Sequence, residues 1–170
     1  TLSDVEFLTG SAFSDVLVGN AEVNKLYGGD GNDTLDGLDG DDVFFGGLGA
    51  DLMIGGNGND KANYSESQEG VIVDLMSGSG AEGDAEGDTF FSIECVLGSA
   101  FADYLIGDDG ENTLQGGAGN DVLDGGSGDD TLIGNAGADW FVFNAGSYSL
   151  NGGLDEDVAF FDGDPSAFNV

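Results

Sequence analysis

Aspartate recurs in a nine-residue frame through two stretches of this chain: Asp15, Asp33, Asp42, Asp51 and Asp60, then Asp103, Asp121, Asp130 and Asp139. Asn24 and Asn112 fill the two remaining places. Carboxylate and amide oxygens are hard ligands, and a hard cation such as calcium takes six to eight oxygens at about 2.3 to 2.6 Å. The sequence has no histidine and a single cysteine, Cys95, which excludes a Cys/His zinc cluster and an internal disulfide framework. Any metal must therefore be oxygen-ligated. Against 34 acidic residues stand only Lys25 and Lys61, a net charge of −32. That balance repels nucleic acid and anionic membrane surfaces, and it opposes compaction until something cationic binds.

Paired carboxylates would also suit a glycosidase. No Cys/His or Ser/His pair and no phosphate-binding loop accompanies them, and the periodicity accounts for the acids as ligands, so the chain is read as a non-enzyme. No run approaches the roughly 20 apolar residues of a membrane helix, and no membrane insertion is expected. The opening "TLSDVEFLTG" lacks the basic start and apolar centre of a signal peptide. A start at Thr1 without Met suggests a fragment or a processed chain.

The elements that position these acids follow from the frame. Written in nines from Gly10, the sequence reads "GSAFSDVLV", "GNAEVNKLY", "GGDGNDTLD", "GLDGDDVFF", "GGLGADLMI" and "GGNGNDKAN". From Gly98 it reads "GSAFADYLI", "GDDGENTLQ", "GGAGNDVLD", "GGSGDDTLI" and "GNAGADWFV". Every unit opens on Gly, has Asp or Asn sixth and an apolar residue eighth. Gly at the first position, and often at the second and fourth, breaks each helical turn. The pattern instead predicts a six-residue turn and a three-residue strand whose middle side chain points inward. Leu17, Leu26, Leu35, Phe44, Met53 and Ala62 would fill the first core, and Leu105, Leu114, Leu123, Leu132 and Phe141 the second. The fold class expected is all-β, a two-sided parallel β-roll or β-solenoid with nine residues per half-turn. Units two apart, 18 residues on, would stack at about 4.8 Å, a spacing at which one calcium ion between two loops reaches both. Magnesium demands shorter bonds and fits less well.

A single "GDGND" would be a hairpin turn; eleven copies in one frame are not. The EF-hand reading of "DGNDTLDGLDGD" fails because Leu35 stands where that loop needs Gly, Asp41 where it needs Glu, and flanking helices are missing.

The units follow G-G-x-G-x-D-x-U-x, and the chain resembles the RTX (repeats-in-toxin) calcium-binding β-roll family of secreted bacterial proteins. The resemblance implies several calcium ions, each between loops two units apart. The earlier loop would give the carbonyls of positions two and four and its sixth side chain; the later loop, the carbonyls of positions one and three and its own sixth side chain. Carried over, Gly29, Gly31 and Asp33 share an ion with Gly46, Leu48 and Asp51. Leu38, Gly40 and Asp42 meet Gly55, Asn57 and Asp60, and Gly117, Gly119 and Asp121 meet Gly134, Ala136 and Asp139. Asn24 with Asp42, and Asn112 with Gly125, Ser127 and Asp130, are expected to bind more weakly because an amide replaces one carboxylate. Phe13 and Phe101 stand where the pattern has Gly, so sites using Asp15 with Asp33, or Asp103 with Asp121, depart from it there, and the Phe can cap the core instead.

The organisation expected is a lead-in strand at 1–9, a first array at 10–63, a connecting insert at 64–97, a second array at 98–142 and a cap or tail at 143–170, forming one continuous domain. The arrays match at an offset of 88, "VEFLTGSAFSD" against "IECVLGSAFAD", which reads as an internal duplication. In the insert, "VIVDL" and "DTFFSIECVL" look like strands around a Gly/acid loop, whose Asp84 and Asp88 are either ion ligands or solvated acids. Cys95 is read as a core residue. Tyr104, Val122 and Trp140 should form an outward stripe, open to partner or sugar contact or, the reading favoured, buried under the tail, which leaves the nine-residue frame after Val142.

The function expected is a calcium-binding module that folds on calcium binding after export, in a secreted, extracellular or cell-surface protein. The resemblance implies type I secretion machinery as a partner. Two alternatives stay open: an adhesin or surface-layer segment contacting glycan or neighbouring copies, and the non-catalytic tail of an exported hydrolase, epimerase or toxin.

Overall fold

The computed structural model describes residues 5–161, and in them the chain winds as a coil of short strands that alternate between two sheets. Positions seven to nine of each unit form strands, because an apolar eighth residue between two side chains of the opposite face suits a half-buried pleat. The first stretch gives β1 (Phe7–Thr9), β2 (Val16–Val18), β3 (Lys25–Asp30), β4 (Thr34–Asp39), β5 (Val43–Leu48), β6 (Leu52–Asn57) and β7 (Lys61–Asn63). Odd strands enter one sheet and even strands the other. Pairing is parallel at an offset of 18, as in Leu26↔Phe44 and Leu35↔Met53.

The insert supplies β8 (Ile72–Asp74), β9 (Ser79–Ala81), a 3-10 turn at Gly83–Ala85, β10 (Thr89–Phe91) and β11 (Cys95–Leu97). "DTFFSIECVL" is thus two strands rather than one, broken at Ser92, whose φ is +51°. The Gly/acid loop contains the short strand β9, which runs antiparallel to β8 and β10 and fills the place between them. β10 stacks on β6 and β11 on β7, so the coil resumes with no gap.

β12 (Tyr104–Ile106), β13 (Thr113–Ala118), β14 (Val122–Asp124), β15 (Ser127–Ala136), β16 (Trp140–Phe143), β17 (Ala145–Leu154) and β18 (Val158–Phe161) complete it. The eight-stranded sheet runs β1-β3-β5-β7-β11-β13-β15-β17, all parallel. The ten-stranded sheet runs β2-β4-β6-β10-β9-β8-β12-β14-β16-β18.

Two expectations for the tail change. β17 pairs with β15 and β18 with β16, both again 18 residues apart, so the coil continues past Val142 to Phe161. "FNAGSYSLN" and "GGLDEDVAF" keep the nine-residue spacing with a degenerate first unit. The stripe is not buried: Tyr104, Val122 and Trp140 pair in register on one face, with Trp140 53 % exposed and Val158 beside it. Residues 162–170 of the tail lie outside the described residues.

The core follows the eighth positions. Leu26, Leu35, Phe44, Met53, Ala62, Leu105, Leu114, Leu123, Leu132 and Phe141 are fully buried, and Phe90 and Val96 carry the column through the insert. Leu17, on the terminal strand of its sheet, is only half-buried against that core. Phe44 stacks between Leu26 and Ala62. Phe44→Ala is expected to cost about 3 to 5 kcal/mol, measured by denaturant unfolding in saturating calcium; a loss under about 1 kcal/mol would contradict a close-packed column.

Candidate metal centre

Each turn between strands carries its sixth residue just before the next strand, so these side chains form two ladders, one along each edge of the roll. On the edge entering the ten-stranded sheet, the amide of Asp15 donates to Asp33 Oδ1 and that of Asp33 to Asp51 Oδ1, both at 2.8 Å. Further on, Asp103 donates to Asp121 and Asp121 to Asp139, both at 2.9 Å. On the other edge Asn24 donates to Asp42 at 2.7 Å, Asp42 to Asp60 at 2.8 Å and Asn112 to Asp130 at 2.9 Å. The partners expected from the sequence, 18 residues apart, are therefore in contact through one carboxylate oxygen.

The second oxygen sorts the turns into two kinds. Oδ2 of Asp33, Asp42, Asp51, Asp60, Asp121, Asp130 and Asp139 is buried, and no donor among the described residues reaches it. In each of these turns the second residue has positive φ: Gly29, Leu38, Gly47, Gly56, Gly117, Gly126 and Asn135. That conformation, natural for Gly and uncommon for Leu, accompanies an amide that makes no bond to the turn's own acid. In the other turns the second residue closes the site itself. Ser11 N–H donates to Asp15 Oδ2 at 2.6 Å and Ser99 N–H to Asp103 Oδ2 at 2.7 Å; Asn20 and Asp108 bond Asn24 and Asn112 in the same way, both at 2.7 Å.

Carbonyls surround the unsatisfied oxygens. A Cβ on Gly28 would collide with both Asp33 Oδ2 and the Gly46 carbonyl oxygen, and one on Gly37 with Asp42 Oδ2 and the Gly55 carbonyl. The Gly125 carbonyl lies against Gly107 beside the Asn112 amide oxygen. At the second and fourth positions, the carbonyls of Gly29, Leu38, Gly31, Gly40 and Gly119 point along the stack at Gly47, Gly56, Gly49, Gly58 and Gly137. The third-position carbonyls of Leu48, Asn57 and Ala136 accept the amides of Gly31, Gly40 and Gly119 at 2.7 to 2.9 Å, leaving a lone pair each. Ser127 pairs through its amide to the Asp108 carbonyl at 3.0 Å, while on the other edge Gly117 lies in the turn of Asp121 and an added Cβ on Gly134 would meet Asp139 Oδ2. Among the described residues no three acidic or cysteine side chains converge on one point, so an ion here must combine two carboxylates with main-chain oxygens. That donor set, hard, flexible and rich in carbonyls, fits calcium.

The RTX calcium-binding nonapeptide repeat model matches this sequence four times, over residues 9–43, 27–62, 97–132 and 122–150. The chain belongs to the RTX calcium-binding repeat family. No curated protein matches it in sequence. RTX nonapeptide repeats bind calcium, with several ions across the repeats. No catalytic family matches the chain, and RTX repeat modules are typically non-catalytic.

The electrostatics of the RTX ladders agree with that chemistry. Burial pushes the carboxyls of Asp51, Asp60 and Asp130 up to about 6, and that of Asp121 up to about 7, despite the amide each accepts. Burial likewise raises Asp42 and Asp139. Charged carboxylates stacked in a dry turn resist ionising until a cation arrives.

Asp157 and Tyr148 of the RTX roll escaped the sequence reading. Asp157 accepts the Asp139 amide at 3.0 Å and extends its ladder by one turn; the spacing of "GGLDEDVAF" was its signal. Tyr148 occupies a sixth position, accepting the Asn144 amide at 3.0 Å and donating to the Gly126 carbonyl at 2.9 Å. Asp88 is buried and takes the Asp51 amide at 2.8 Å, while its other oxygen accepts the Tyr64 hydroxyl at 2.6 Å. It is a ladder member and not a solvated acid. Asp84 is half-buried, its amide on Ser67 Oγ at 3.2 Å. Cys95 is buried, its thiol on Asn59 Oδ1 at 2.6 Å.

Proposed function

We propose that this chain is a calcium-dependent folding module of an exported protein, in which ions shared between stacked turns neutralise the ladders and lock successive coils together. The observation that carries this reading is the set of seven buried Oδ2 atoms that no donor reaches among the described residues, in a chain of charge −32. Asp33 with Asp51, Asp42 with Asp60, and Asp121 with Asp139 are the strongest pairs, each adding the carbonyls named above. Asp139 with Asp157 joins them. Asn24 with Asp42 and Asn112 with Asp130 bind more weakly, because the amide oxygen carries no charge and is already engaged by its own turn. Asp15 with Asp33 and Asp103 with Asp121 are weakest, because Ser11 and Ser99 satisfy the first carboxylate. The unbroken eight-stranded sheet supports a single folding unit across both arrays.

Ions that bind only the folded chain stabilise it by mass action, so the metal-free chain is largely disordered. Extracellular calcium modules have affinities of about 10⁻⁴ to 10⁻³ M, which places folding after export. RTX proteins are typically secreted, and type I secretion of the unfolded chain fits this order of events. Among the described residues no helix is long and apolar enough to cross a membrane. Far-UV circular dichroism tests the reading. β signal should be low in chelator and rise cooperatively in millimolar calcium; equal spectra in the two conditions would end it.

The open stripe of Tyr104, Val122 and Trp140 favours a second role as an adhesive face for glycan or a neighbouring copy. Trp140 fluorescence should then respond to glycan, or light scattering to calcium.

A further inference from the structure

The nonapeptide rule stops at Asn63 and resumes at Gly98, yet one ladder does not stop there. Asp60 is fully buried, and its Oδ2 has no donor among the described residues. Eighteen residues on there is no acid to share an ion with it, since position 78 is Gly. The turn that stacks on Asp60 is instead residues 92–94: Phe91 pairs with Ile54 and Cys95 with Lys61, so three residues here stand against the six at 55–60. Within it Glu94 precedes β11 as a sixth-position acid precedes its strand. Its Oε2 accepts the Asp60 amide at 2.9 Å, the bond that Asp60 itself makes to the amide of Asp42 at 2.8 Å. Ser92 completes the likeness. A Cβ on Gly55 would collide with both the Ser92 carbonyl oxygen and Asp60 Oδ2, as one on Gly28 would with the Gly46 carbonyl and Asp33 Oδ2.

We propose that Asp60 Oδ2, the Glu94 carboxylate and the Ser92 carbonyl hold one further calcium ion at the junction of the two arrays, on a spacing of 34 residues outside the repeat rule. The longer glutamate side chain supplies the reach that the shortened turn takes away, and the positive φ of Ser92 belongs to the same tight turn. The inference rests on the reading that ladder carboxylates hold calcium.

The opposite edge behaves differently, which gives the proposal its contrast. Asp51 meets Asp88 through the same amide bond, but the Tyr64 hydroxyl already holds the other Asp88 oxygen. At Gly46 the atoms nearest an added Cβ belong to Asp51 itself and the Met53 methyl, where at Gly55 the nearest is the Ser92 carbonyl oxygen. A neutral donor closes the ladder on that edge, whereas a cation continues it on the other. Metal binding in the two arrays is thereby coupled through Asp60 and Glu94.

Native mass spectrometry of the calcium-loaded full chain counts the ions. E94Q keeps an oxygen for the Asp60 amide and removes the charge, so it should carry one ion fewer than wild type. E94D should lose the same ion, because the shorter acid does not reach. Calcium titration by circular dichroism should then show two transitions in place of one. Folded E94Q with the wild-type ion count overturns the junction site. Should the variants fail to fold, anomalous diffraction from calcium-grown crystals of the wild-type chain decides: a peak between Asp60 and Glu94 upholds the proposal, and peaks along the ladders with none there overturn it. A wild-type chain that carries no ion at all fails the underlying calcium reading instead.

Discussion

Replacing Asp33, Asp42, Asp51 and Asp60 together by Asn should abolish the calcium-induced gain of β structure across residues 10–63. Asn keeps an oxygen able to accept the ladder amide, and Asn already stands at the sixth position at Asn24 and Asn112, so the substitution removes charge with little change of shape. Four buried carboxylates are lost from one half of the roll, and ligand charge count sets calcium affinity, so the remaining transition should move to a calcium concentration at least about tenfold higher. Circular dichroism against free calcium measures both the amplitude and the midpoint. If the variant folds with the wild-type midpoint, these four residues are not the ligands. The expected effect exceeds that of any single core substitution, because the four acids serve both ladders at once and their stacked turns hold the strands in register.

Acid should act in opposite directions on the metal-free and the calcium-loaded chain. In the metal-free fold burial raises Asp51, Asp60 and Asp130 to about 6 and Asp121 and Asp88 to about 7, against about 3.9 for an unfolded aspartate. The folded state therefore binds protons more tightly than the unfolded one, and its stability rises as pH falls. The handicap is complete above about pH 7, shrinks as pH falls through the folded values and is gone below about pH 4. In chelator, the chain should accordingly gain β signal between pH 8 and pH 4.5. In calcium the same protons compete for the ligands, so the calcium midpoint should rise on acidification. For each proton displaced, affinity falls by about tenfold per pH unit below the group's folded value. A chelated chain that loses structure on acidification, or a calcium midpoint equal at pH 8 and pH 5, would show that these carboxylates do not carry the switch.

Much of this was legible in the residues. The eighth-position column could be written down from the sequence, and its ten inner members from Leu26 to Phe141 are fully buried. The 18-residue pairing followed from a nine-residue half-turn, since only alternate units share an edge. The tail was misread for a local reason. "FNAGSYSLN" puts Phe at the first position and Tyr at the sixth, which hides the frame, yet the Tyr148 hydroxyl makes the capping bond that a carboxylate or amide oxygen makes elsewhere. Burial of Trp140 was expected from its size and place in a stripe, but covering it would need chain packed outside the sheet, and the described tail instead adds another turn on the end.

The sequence by itself determined the period, the inward face, the acidic edges and the need for an oxygen-ligated cation, because these depend on residue type and spacing along the chain. Tertiary structure decided which acids stand together with a buried carboxylate oxygen left over. Oδ2 of Asp33 and of Asp15 differ at their second residues: Gly29 is turned to positive φ, whereas Ser11 donates both its amide and its hydroxyl. Asp88 and Glu94 entered the ladders only once the insert folded back so that β10 and β11 lay on β6 and β7. No repeat spacing encodes that return, since a turn shortened by three residues and a side chain longer by one methylene become equivalent only in three dimensions.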